Sequence, residues 1–158
     1  MAPSLTEEQR AVLERRKASF DAYFGESMPA LVDFCTRLKL PEPYRVVNSP
    51  SVFLGAIDAW LAGPAQTSAS TPEDRTWLAA RLAYYTGYLL TERFGGNWFV
   101  DENPQSRYFA RYVVGQFAHR PAVRVDPTEV AMAFLSGNEG KSFSAFFATI
   151  IQAVSAPT

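Results

Sequence analysis

The chain has 158 residues, 47% of them apolar and 14% aromatic, which excludes a disordered class and suits one domain with its own core. Its formal charge of −1 gives none of the basic field that a nucleic-acid binder carries, and one cysteine, Cys35, excludes an internal disulfide. No apolar run approaches the roughly 20 residues of a membrane helix. The polar start, Met1 to Arg10, lacks the core of a signal peptide, so a soluble, cytoplasmic bacterial protein is expected.

Thr6-Glu7-Glu8-Gln9 reads as a capping box that opens a helix running to about Phe24, where Gly25 is expected to stop it. A second helix is expected from Ser27 to about Leu38, with Pro29 in its first turn and Leu31, Phe34, Cys35 and Leu38 on one stripe. Pro41 and Pro43 make continuation there unfavourable. Ser49-Pro50 starts a third helix, Ser51 to Leu61, and the small, polar stretch Gly63 to Ser70 reads as a surface loop.

The strongest signals frame a long central helix. Thr71 caps it, Pro72 fills the first position, and Glu73 and Asp74 complement the positive end of its dipole. Gly95-Gly96 ends it. Leu78, Leu82, Tyr85 and Leu89 form one apolar face, and Trp77, Tyr84 and Tyr88 form another, so the helix should be touched from two sides. Gly87 costs such a helix about 1 kcal/mol relative to alanine, which predicts close approach by another element.

Alternation then predicts a strand from Asn97 to Asp101, with Trp98 and Val100 on one face. Asn103-Pro104-Gln105-Ser106 forms the hairpin connection. The second strand follows, with Tyr108, Ala110, Tyr112 and Val114 on one face and Phe109, Arg111 and Val113 on the other. Val123-Arg124-Val125 is a third strand. Asp126-Pro127-Thr128-Glu129 opens another helix, which Gly137 stops. Ser142 caps the last, whose Phe143, Phe146, Phe147, Ile150, Ile151 and Val154 should dock on the core or lie in a dimer contact. The fold class is α+β, predominantly helical, a single domain over 1–158, with about six helices and a small three-stranded antiparallel sheet after the long helix.

The residue types offer little chemistry. His119 is the one histidine, and Cys35 sits on an apolar stripe, where a thiol behaves as a small hydrophobe. Two Cys or His residues fall short of a structural zinc site, and Asp101, Glu102 and Asp126 match no calcium loop. No metal or cofactor is implied. Glu92, Asp101, Glu102 and Glu129 are the acids from which a catalytic pair would come, in a pocket lined by Tyr84, Tyr88 and Trp98. Arg15-Arg16-Lys17 reads as a solvated helix face with Glu7, Glu8 and Glu14 nearby. The aromatics Trp98, Phe99, Tyr108, Phe109 and Tyr112 either pack on both sides of the sheet or leave Phe99, Phe109 and arginines showing, as protein-binding surfaces do.

The segment Leu89-Leu90-Thr91-Glu92-Arg93-Phe94-Gly95-Gly96, then Asn97-Trp98, a hairpin, and Val125-Asp126-Pro127 resembles small uncharacterised bacterial proteins of the toxin-immunity type. The likeness spans Trp77 to Val130, about a third of the chain. It implies a non-catalytic protein that binds another protein, of the class of a secreted bacterial toxin. Phe99 and Phe109 would be the apolar anchors. Asp101, Glu102 and Asp126, with Arg111, would meet the partner's charges. A carboxylate-pair enzyme and a homodimer or adaptor assembled through the last helix are the alternatives.

Overall fold

The computed structural model describes residues 4–62, 71–137 and 142–155. The loop expected at Gly63 to Ser70 lies outside the described residues. Helix α1 spans Glu7–Arg37. Its capping box forms as expected: the Gln9 N–H donates to Thr6 Oγ1 at 3.1 Å, and the Thr6 N–H donates to Gln9 Oε1 at 2.9 Å.

The two helices expected on either side of Gly25 are one, and Gly25 and Pro29 lie inside it. Proline 29 removes the hydrogen bond to the Gly25 carbonyl and so weakens the ladder there. The stripe Tyr23, Ser27, Leu31, Phe34 and Cys35 crosses this point without a change of phase, and from Ser27 onward it is buried. Ser27 Oγ lies 2.8 Å from the Tyr88 hydroxyl, which ties the weak turn to the central helix. Packing along an unbroken face outweighs the local cost of glycine and proline.

Two 3₁₀ turns, Pro43–Val46 and Pro50–Phe53, lead into α2, Leu54–Ala62, so the third expected helix opens as a 3₁₀ turn. Helix α3, Pro72–Phe94, has the caps expected of it. Asp74 N–H donates to Thr71 Oγ1 at 3.1 Å, and Gly95 closes the last turn at φ +73°. From Leu82 to Leu90 every residue of α3 is buried, so the helix is central. Tyr85 donates to the Pro50 carbonyl at 2.7 Å.

Strands β1, Asn97–Val100, β2, Tyr112–Gly115, and β3, Arg124–Val125, form an antiparallel sheet in the order β1-β2-β3. Trp98 pairs with Val114 and Phe99 with Val113. The Trp98 indole lies on α3 at Gly87, where a Cβ would sit 1.8 Å from Trp98 Cζ2. This is the close approach that Gly87 predicts. Strand β2 starts four residues later than Tyr108, because 104–110 is a turn. Asp101 faces both Ala110 and Arg111: its N–H donates to the Arg111 carbonyl at 3.0 Å, and its carbonyl accepts from Ala110 at 2.7 Å. Two residues against one make a β-bulge, with Ala110 left-handed at φ +62°.

Helix α4, Pro127–Gly137, packs along α3, and α5, Phe143–Ser155, is capped by Ser142 and by Asp58, whose Oδ1 accepts from the Phe143 N–H at 2.6 Å. Phe143 is buried against Phe134 and Tyr85, and buried Phe147 stacks on Phe143, so the last helix docks on the core. A small second cluster of Leu13, Val100 and Ala110 lies between the first half of α1 and the sheet, apart from the main core. No helix among the described residues is long and apolar enough to cross a membrane.

The core is rich in buried phenols, and this sets an alkaline limit. Burial is the main cause that pushes Tyr23, Tyr84, Tyr85 and Tyr88 above their ordinary value of 10.0; at Tyr88 the Ser27 hydrogen bond opposes it. Burial also pushes the Cys35 thiol from 9.0 up to about 11. Each group is neutral when protonated, so the folded state holds protons that the unfolded chain releases. The stabilisation is whole below the unfolded values and is lost as pH rises through the folded ones. Stability should therefore hold to about pH 9 and fall steeply above about pH 10. Tyrosinate absorbance from these four phenols should appear together with loss of helical circular dichroism; an absorbance rise in the still-folded protein that accounts for all tyrosines would contradict their burial.

Candidate partner-binding surface

The six residues expected to meet a partner lie in and around the sheet, in different states. Phe99 is half-buried, with its ring against Gly115 and the Arg124 guanidinium 5.6 Å from the ring centre. Phe109 lies in the turn, not on the strand. It packs beside Leu13, Val100 and Ala110 on the α1 side of the sheet, so the two phenylalanines do not share a face. The bulge is the reason: one extra residue before β2 reverses the alternation that would have aligned them.

The acids divide in the same way. Asp101 is 1% exposed. It accepts from Ser106 Oγ at 2.6 Å and from the Asn103 N–H at 3.0 Å, and it pairs with Arg124 at 3.3 Å. Asp126 is buried as the cap of α4, where its Oδ1 accepts from Thr128 and Glu129 N–H groups at 3.0 and 3.2 Å. Both are expected among the acids facing a partner; the structure instead commits Asp101 to a turn, while Asp126 caps the helix that Asp126-Pro127-Thr128-Glu129 is expected to open. Glu102 is exposed and reaches Lys17 at 3.2 Å. Arg111, half-exposed, donates through Nη1 to Asp126 at 3.2 Å and to Glu129 at 3.1 Å, and Arg107 holds the other oxygen of Glu129 at 2.6 Å.

Two open clefts flank this region. The first, about 400 Å³, is lined by Arg16, Arg111, Tyr112, Asp126, Thr128 and Glu129. The second, about 350 Å³, is lined by Lys17, Phe20, Trp98, Phe99, Val100, Glu102 and Gln116. Phe20 and Tyr112, whose ring centres are 5.6 Å apart, stand between them. Tyr112 also donates to the Arg16 carbonyl at 2.9 Å, and the Arg16 guanidinium lies 5.7 Å from its ring centre.

The wall contributed by α1 is what the sequence reading missed. Arg15-Arg16-Lys17 is exposed, as expected of a solvated face, but Arg16 and Lys17 also reach Tyr112 and Glu102 across from α1. The signal was present in Leu13, Phe20 and Tyr23, an apolar stripe whose flanks carry Arg16 and Lys17. A charge that borders a buried stripe reaches across the seam while its stem covers apolar surface.

Other candidate chemistry disperses. Glu92 is exposed on α3 and His119 is exposed in the loop after β2, while Cys35 is fully buried. Tyr84 and Tyr88 are packed under Tyr23 and Phe24, at 5.2 and 6.3 Å between ring centres, and only Trp98 of the expected pocket lines a cleft described above. Asp126 and Glu129 share the first cleft, and one guanidinium stands between them. Among the described residues no three Cys, His, Asp or Glu side chains converge as a metal site. Comparison with protein-family models, with curated proteins and with solved structures gave no match for this chain.

Proposed function

We propose that this chain is a non-catalytic protein-binding protein and that it acts as an immunity protein, covering a bacterial toxin in the cytoplasm of the cell that makes both. The observation that carries the reading is the paired clefts around Phe20 and Tyr112. Half-buried rings lie beside Arg16, Lys17, Glu102, Arg111 and Glu129 in two neighbouring open clefts. Aromatic anchors rimmed by arginine and mixed charge suit the centre and edge of a protein interface. Surface charges of this kind chiefly speed encounter and select the partner. The arginine between Asp126 and Glu129 supports a binding role over an acid–base one, since it holds both carboxylates as acceptors.

The test is co-expression with the product of the adjacent reading frame. A stable complex and survival of cells that otherwise die are expected. Absence of both a complex and protection would overturn the immunity role.

A further inference from the structure

Strand β1 has a neighbour on one side only. The ladder determines which of its groups face the open side. Asp101 gives both its N–H and its carbonyl to the β2 side. Main-chain groups alternate along an antiparallel strand, so Phe99 and Asn97 also face β2. The N–H and C=O groups of Val100 and Trp98 therefore point outward, two donors and two acceptors in a row. Among the described residues no hydrogen bond reaches them.

This edge opens into the second cleft. Trp98, Phe99 and Val100 form one wall, and Phe20 and Lys17 of α1 form the other. Natural sheets protect such edges with charge, and here the guard is the Lys17–Glu102 pair. Both side chains of that pair are about half exposed, at 52% and 56%, so it contributes little and is easily displaced.

We propose that β1 accepts an extended segment of a partner protein as a fourth strand of the sheet. The occupant follows from the chemistry of the edge. Alternating outward donors and acceptors at strand spacing are complemented by another main chain and by little else. Alternation within the guest assigns its side chains: those on the α1 side meet Phe20 and should be apolar, and those on the Phe99 side can be polar. A second copy of this chain fits less well, because its own α1 would have to share the space beside Phe20. The proposal rests on the binding role above and specifies its mode.

The experiment uses the full chain and two probes: the adjacent toxin, and displayed random peptides of about eight residues, slightly longer than a typical strand. Backbone hydrogen exchange is the readout. Selected peptides should alternate apolar and polar residues and slow exchange at the Trp98 and Val100 amides about tenfold or more, while Phe99, already in the ladder, changes little. A single ester in place of the Val100 amide removes one outward donor and keeps the side chain. It should weaken the peptide about tenfold, the worth of one main-chain hydrogen bond, with a thermal melt as the check on folding. If the ester form does not fold, the exchange data decide alone.

Failure to enrich peptides, protection of amides elsewhere, or a self-paired dimer through β1 would each overturn the proposal. A toxin complex in which Trp98 and Val100 exchange at their free rates overturns strand addition and leaves the binding role standing. Peptide protection at β1 without a toxin complex does the reverse.

Discussion

Replacing Gly87 by alanine is expected to lower the unfolding free energy by about 3 kcal/mol, against a helix-propensity gain of about 1 kcal/mol. The added methyl would fall 1.8 Å from Trp98 Cζ2 and 2.4 Å from Cε2, atoms of a rigid ring. That ring has no easy retreat. Tyr23 and Phe24 hold it from the α1 side at 5.8 and 6.4 Å, and its backbone is paired with Val114. Gly25 is the internal control. It too is helical, but a Cβ there meets nothing within 4 Å, so Gly25→Ala should stabilise by about 1 kcal/mol. Denaturant melts of both variants check the pair. A Gly87→Ala midpoint at or above that of the parent would show that the indole does not rest on the helix. Trp98→Leu should recover part of the Gly87→Ala loss, and a double-mutant cycle measures the coupling.

Asp101→Ala is expected to cost about 3 kcal/mol, because it strands a part-buried hydroxyl and a backbone N–H and releases a guanidinium from its partner. Arg124 remains one-third exposed, which keeps the loss below that of a fully buried pair. The damage should be local first. Exchange at the Ala110 amide should rise, since the bulge depends on Asp101 on one side and on a left-handed alanine on the other. Asp101→Asn, which keeps an acceptor for Ser106 or for the Asn103 N–H, should lose about half as much. A variant as stable as the parent but weaker in partner binding would return Asp101 to the recognition surface.

These two sites show how much of the molecule could be read from residues alone. The ends of α3 were legible because each carries a local chemical signal: a hydroxyl before a proline, acids in the first turn, and glycine at the stop. Gly87 was legible as an anomaly, a poor helix former amid good ones, and the anomaly located a contact. Gly25 and Pro29 carried the same kind of signal and it misled. There the deciding term was the phase of the stripe from Tyr23 to Cys35, which continues straight through them.

The candidate site was less legible than the fold. Its position depends on the bulge at Ala110-Arg111, and no glycine marks the left-handed residue, so alternation carries the expected strand through the turn to Tyr108. Asp101 and Asp126 look like Glu102 in the sequence, as acids at strand ends, although Asp126 also opens the next helix. Burial and hydrogen bonding separate them from Glu102, and those depend on Ser106, Arg111 and Arg124 arriving from elsewhere in the chain.

The small cluster of Leu13, Val100 and Ala110 has its own consequence. It is separated from the main core, so a loss of packing between the first turns of α1 and the sheet would leave the cluster around Leu31, Phe34 and α3 in place. A guest strand seated beside Phe20 would therefore press on this satellite cluster first, at the end of the rod where the least is lost.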